Sequence, residues 1–86
     1  MTTQATYNTI KSIIEMSKLH LYKCEDDEHR LYVDGRERDE LSSLVKRCGF
    51  KWQLHRHMGA MVYRKGKQTI TLNIDLNTEC VILKVW

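Results

Sequence analysis

Eighty-six residues, 42% of them apolar, 29% charged and none proline, describe one small folded domain spanning 1–86 rather than a disordered or fibrous chain. No apolar run approaches the roughly 18 residues that a membrane helix needs, so no membrane partner is expected. The start, Met1-Thr2-Thr3-Gln4, lacks the charged-then-apolar layout of a secretory leader, and a cytoplasmic location is expected.

Residues 5–18 place Tyr7, Ile10, Ile13, Ile14 and Ser17 at helical spacing, which predicts an amphipathic helix with Thr3 or Thr6 as its cap. Two weakly alternating stretches, 19–24 and 29–34, flank the acidic cluster Glu25-Asp26-Asp27-Glu28 and predict a hairpin ended by Asp34-Gly35. Over about 40–48, Leu41, Leu44, Val45 and Cys48 recur at i, i+3, i+4 and i+7. Asp39 is the expected cap of this second helix and Gly49 its end.

Beyond Gly49, two-residue turns at Met58-Gly59, Lys65-Gly66 and Asn77-Thr78 predict a four-stranded antiparallel meander over 51–86. The first turn sets Leu54 opposite Tyr63 and Arg56 opposite Met61. The second sets Met61 opposite Ile70. The third sets Ile74, Leu72 and Ile70 opposite Val81, Leu83 and Val85. All three then put Trp52, Leu54, Met61, Tyr63, Ile70, Leu72, Ile74, Val81, Leu83 and Val85 on one apolar face for the second helix to cover. The expected fold is α+β, in the order α-β-β-α-β-β-β-β. Cys80–Trp86 or Lys51–Met58 is the expected exposed edge strand, which leaves a homodimer open.

By parity the other face carries Lys51, Gln53, His55, His57, Val62, Arg64, Thr69, Thr71, Asn73, Cys80, Ile82, Lys84 and Trp86. A fully solvated face has no need of Val62, Ile82 and Trp86. Either the first helix covers part of it or it is a contact surface.

The net charge of +3 is unevenly spread. Residues 1–40 carry six Lys/Arg against nine Asp/Glu, whereas 41–74 carry seven Lys/Arg and no acid. Such a stretch attracts an anionic partner, nucleic acid first, unless the acidic first half neutralises it in space. The candidate contacts are Lys51, Arg64, Lys65, Lys67 and Lys84 for phosphates, with His55, His57 and Trp86 as flat surfaces for bases. Trp86 could instead simply cap the core.

His55-x-His57 also has a metal-ligand spacing, and Cys80 is the further donor that parity puts on the same face. Such a spacing far more often belongs to two exposed or partly covered histidines, and no metal or cofactor is expected. His20, Cys24 and His29 form a looser grouping. The three cysteines, Cys24, Cys48 and Cys80, lack CxxC spacing and are expected as reduced thiols, with burial as small apolar residues expected of Cys48 and open for the others. There is no phosphate-binding Gly loop and, in the meander, no paired-carboxylate pattern, so a non-enzymatic chain is the favoured expectation.

The stretch Leu41–Ile74 resembles the HicA-type messenger-RNA interferases, small toxins with a double-stranded-RNA-binding-like fold. The resemblance rests on a helix ending in Gly49-Phe50, a strand Lys51–Met58, Gly59-Ala60-Met61 leading into Val62–Lys65, and a third strand Gln68–Ile74. It implies an α-then-three-strand unit and RNA contact. The family's catalytic His falls at Met61, which cannot move a proton, and a strand, Cys80–Trp86, stands where the family has a closing helix. Family-type cleavage is therefore not implied.

The expected function is a small module that binds nucleic acid, RNA foremost, or a nucleoprotein through a basic sheet face and hairpin tip. One alternative is a regulator of phage or mobile-element type that binds and inhibits a host protein through Glu25–Glu28 or the apolar islands. Another is a ribonuclease using His55 or His57 as general acid or base.

Overall fold

The computed structural model describes residues 2–53 and 59–86. Helix α1 (Thr3–Glu15) is capped by Thr2, whose hydroxyl accepts the Ala5 N–H at 3.0 Å. The expected caps act elsewhere. Thr3 donates its hydroxyl to the Trp86 carbonyl at 3.0 Å, and buried Thr6 bonds Gln68, so both tie the helix to the sheet. Strands β1 (Leu21–Glu25) and β2 (Arg30–Asp34) form the expected hairpin. Its acidic connection winds into a 3₁₀ turn, Asp26–Glu28, with a bulge between Leu21 and Lys23 in β1.

A second 3₁₀ turn, Gly35–Glu37, leads into α2 (Arg38–Arg47). Asp39 does not cap this helix. It lies in the first turn, where its charge favours the positive helix end, while Asp34 accepts the Arg36 N–H that opens the preceding turn. Gly49 then takes φ +96°, a left-handed value that costs a Cβ-bearing residue, and the chain leaves the helix.

The remaining strands are β3 (Lys51–Trp52), β4 (Met61–Lys65), β5 (Gln68–Asp75) and β6 (Cys80–Val85). They form the expected meander within one six-stranded antiparallel sheet of order β1-β2-β6-β5-β4-β3. The expectation that Cys80–Trp86 is an edge is thereby corrected. β6 pairs with β2 as well as β5, and β1 and β3 form the edges. Leu31 and Val33 of β2 stand opposite Leu83 and Val81, so this pairing extends one apolar stripe across both parts of the chain.

Around Asn77-Thr78 the register is as expected, with Ile70, Leu72 and Ile74 opposite Val85, Leu83 and Val81. The other two hairpins are offset. Lys65 pairs with Gln68, so the turn is Gly66-Lys67, and Met61 faces Leu72 rather than Ile70. Trp52, rather than Leu54, faces Tyr63. Each offset is two residues, one full pleat, so every side chain keeps its face. Leu54 and Arg56 lie outside the described residues.

Both helices lie on the same side of the sheet. Tyr7, Ile10 and Ile14 of α1 and Leu41, Leu44 and Val45 of α2 share one core with Leu31, Val33, Tyr63, Ile70, Leu72, Val81, Leu83 and Val85. Each buried Leu or Ile there contributes about 1.5–3 kcal/mol of transfer free energy. Met61 is partly buried, whereas Trp52 and Ile74, on the same side but near its margins, stay exposed. Helix α1 therefore leaves the outer face bare.

Candidate nucleic-acid interface

The register lays out the bare face as cross-strand rows. Nearest the β4–β5 hairpin, Lys51 stands opposite Arg64 and Arg64 opposite Thr69, whose carbonyl accepts the Trp86 backbone N–H at 2.9 Å. The next row runs Glu25, Arg30, Lys84, Thr71, Val62, and the next Lys23, Tyr32, Ile82, Asn73. The last is Asp34, Cys80, Asp75. Charge thus grades along the strands, from basic at the β4–β5 hairpin to acidic at the β5–β6 loop.

The expected cations gather at the basic end. Lys51 and Arg64 are exposed and directly opposite, an arrangement that like charges disfavour and that folding alone does not ask for. Lys67 sits in the hairpin turn. Lys65 turns towards α2 and donates to the Cys48 carbonyl at 3.0 Å, beside Lys46 and Arg47 of the last helical turn, so it serves first as a helix-end cation. Among the described residues, none of Lys46, Arg47, Lys51, Arg64, Lys65 and Lys67 has an ion-pair partner. His55 and His57 lie outside the described residues.

Lys84 and Trp86 form a unit in the middle of the face. The ammonium of Lys84 lies 4.7 Å from the centre of the Trp86 ring, a cation–π distance, and donates to the Glu28 carbonyl at 3.0 Å. The indole N–H donates to the Thr71 hydroxyl at 2.9 Å, and Trp86 remains 57% exposed. Trp86 is therefore a fixture of the outer face and not a cap on the core. With Arg30, Tyr32, Ala60, Thr71, Asn73, Ile82 and Lys84 it lines a shallow depression of about 300 Å³. Arg30 and Tyr32 are assigned no role by the sequence pattern. They arrive through the β2–β6 pairing, which no local signal announces.

The acidic part is internally compensated. Glu25 takes the Tyr32 hydroxyl at 2.7 Å and lies within ion-pair distance of Lys23 and Arg30. The Tyr32 bond holds its carboxyl below the usual range and raises the Tyr32 phenol. Asp34 accepts two side-chain bonds from Arg36, at 2.8 and 3.2 Å, and the Tyr22 hydroxyl at 3.2 Å. The Arg36 bonds hold it far below the ordinary carboxylate range. Asp26 is lowered first by the Tyr7 hydroxyl, then by Lys11. These acids do not neutralise the cations of the far end.

No group of residues able to hold a metal occurs among the described residues. His20 bonds Glu37 and His29 bonds Gln4, while Cys24 lies against the core and burial raises its thiol. All three thiols are free. Cys80 is buried, and Cys48 is partly buried against the core. None of the described helices is long and apolar enough to cross a membrane. Comparison with family models, curated proteins and solved structures returns no match for this chain.

Proposed function

We propose that this chain is a small, non-enzymatic nucleic-acid-binding module, with RNA as its preferred ligand and the bare sheet face together with the β4–β5 end as its contact surface. The observation that carries this is that Lys51, Arg64 and Lys67, at one end of a face that neither helix covers, have no ion-pair partner among the described residues. Unpaired Lys and Arg side chains suit phosphates, and Trp86 and Tyr32 offer ring surface within the same face. The HicA-like resemblance points to RNA as well. Met61 faces the core, its sulfur 3.8 Å from the Tyr63 hydroxyl, which suits contact without cleavage.

Binding to generic RNA and DNA across a salt series tests the proposal. Affinity should fall steadily as salt rises, because neutralised phosphates release counterions. The double variant Arg64→Glu, Lys67→Glu should weaken binding at least tenfold at low salt and flatten the slope by about 1.4, about 0.7 per lost contact on a single strand. No binding at low salt, or binding indifferent to salt, sinks the proposal. Lys65 is a poorer choice of variant because it also holds the end of α2.

A second proposal, a regulator that blocks a host protein, is favoured by the opposite end of the sheet. There Tyr22, Ile74 and Leu76 are exposed along a broad groove that Asp75 and Glu79 also line. A protein partner that survives nuclease treatment, and is lost with Leu76→Ser while RNA binding persists, would favour it.

A further inference from the structure

We infer that the depression beside Trp86 receives one unpaired base of a single-stranded nucleic acid, stacked on the indole, so that the chain binds single strands in preference to duplex. This rests on the nucleic-acid proposal above and narrows its ligand.

Three features of the depression carry it. The first is a fixed ring. The Thr71 hydroxyl holds the indole N–H and Lys84 stands over the ring, so Trp86 gives up little rotamer freedom on stacking, yet more than half of it remains exposed. The second is an edge-reading group. Asn73 lies in the depression with no side-chain hydrogen bond among the described residues, and its amide offers two donors and an acceptor to a base edge. The third is charge at the rim, where Arg64 has no ion-pair partner among the described residues, while Arg30 and Lys84, opposite one another one row on, lie within ion-pair distance of Glu25 and Glu28 and would have to release them to meet a phosphate. Ile82 and the small Ala60 give the floor and wall an apolar character, and Tyr32 adds a second ring.

A base can lie on Trp86 only after leaving its own stack. In a duplex that costs both pairing and stacking, whereas a single strand has already lost its pairing. The site would then track phosphates toward Arg64, Lys51 and Lys67, a groove-plus-platform layout suited to single strands.

The test uses the full chain carrying Trp52→Phe, which leaves Trp86 as its only indole. Its emission is followed while a short oligoadenylate, an abasic oligomer of equal length and charge, and a duplex RNA are added separately. Oligoadenylate should quench Trp86 and bind roughly tenfold more tightly than the abasic oligomer, in the range that one aromatic stack supplies. Trp86→Ala, followed by a label on the oligomer, should erase that difference, Trp86→Phe should restore most of it, and Asn73→Ala should give a smaller loss. Circular dichroism checks that each variant is folded. Equal affinity for the abasic oligomer, duplex binding as tight as single-strand binding, or unchanged Trp86 emission on saturation would each overturn the inference and leave the broader proposal standing. Failure of all three ligands to bind at low salt would overturn both.

Discussion

The β1–β2 hairpin and the β3–β4–β5 end both carry cations on the open side of one sheet, and they use them in opposite ways. Near the hairpin, Lys11, Lys23, Arg30, Arg36 and Lys84 each meet a carboxylate. At the other end Lys51 and Arg64 oppose one another and Lys67 stands in a turn, with no carboxylate among the described residues to answer them. The same residue types therefore act as internal ties in one region and as unused charge in the other. An ion-paired cation must shed its partner before it can hold a phosphate, and an unpaired one need not, so the two regions differ in readiness to bind even where their exposure is similar.

The contrast assumes a common core beneath both regions, and the largest expected effect comes from attacking it. Leu83 is 0% exposed on β6, between β2 and β5. Leu83→Ala should cost about 2–5 kcal/mol in denaturant unfolding. Amide exchange should show β1–β2 and β4–β5 losing protection together. Loss confined to one region would mean that two units, not one, lie under the sheet.

Next in size is Gly35→Ala. A Cβ at Gly35 would overlap the Glu79 carbonyl oxygen, which already accepts the Gly35 N–H at 3.1 Å. Because the obstacle is backbone, the turn must shift, and a loss of about 1–3 kcal/mol is expected in thermal or urea unfolding. The change lies at the acidic end and should leave RNA affinity at the basic end within twofold once the protein is folded.

The smallest effect is a pH dependence confined to the paired region. The carboxyl of Asp34 is held low in the folded state, so the unfolded chain takes up its proton first as pH falls. Its contribution is complete above the ordinary carboxylate pKa of about 3.9 and drains as pH drops below that toward the depressed folded value. Asp34→Asn should lower the urea midpoint at about pH 6, and its gap from the parent should narrow as pH falls towards about 2. A constant gap over that range would show that the carboxylate charge is not what Arg36 and Tyr22 hold.

Much of the fold was legible because strand alternation is a local signal. Ile70, Leu72, Ile74, Val81, Leu83 and Val85 fall on one side for any register that keeps parity, and the two pairings that differ from expectation, β3–β4 and β4–β5, are each shifted by one whole pleat. Gly66 serves a two-residue turn as Lys65-Gly66 or as Gly66-Lys67, and nothing in the neighbouring residues separates the two. The cap of α1 was missed for a similar reason. Thr2, Thr3 and Thr6 are the same residue type within one turn or so, and only tertiary contacts to Trp86 and Gln68 occupy the latter two.

The site was legible in part. Lys51, Arg64, Lys67, Lys84 and Trp86 follow from charge and parity within the meander. Arg30 and Tyr32 do not, because they reach it through a pairing between distant segments. The side on which α1 packs was likewise undetermined, since a stripe of isoleucines records that it needs cover and not which surface supplies it.

The β2–β6 pairing has a consequence for how the molecule assembles. Each hairpin can zip from its own turn, and the meander can add strands one neighbour at a time. Joining Arg30–Asp34 to Cys80–Lys84, however, closes a loop that contains α2 and most of the meander. Such long-range closure carries its entropic cost before its contacts form, so it is expected to be a late step in folding, which stopped-flow refolding of Leu83→Ala would check. Until it is complete, Leu31 and Val33 on one side of the seam and Val81 and Leu83 on the other remain wet. The growing chain is then most exposed to wrong partners at the strand that ends up in the middle of the sheet.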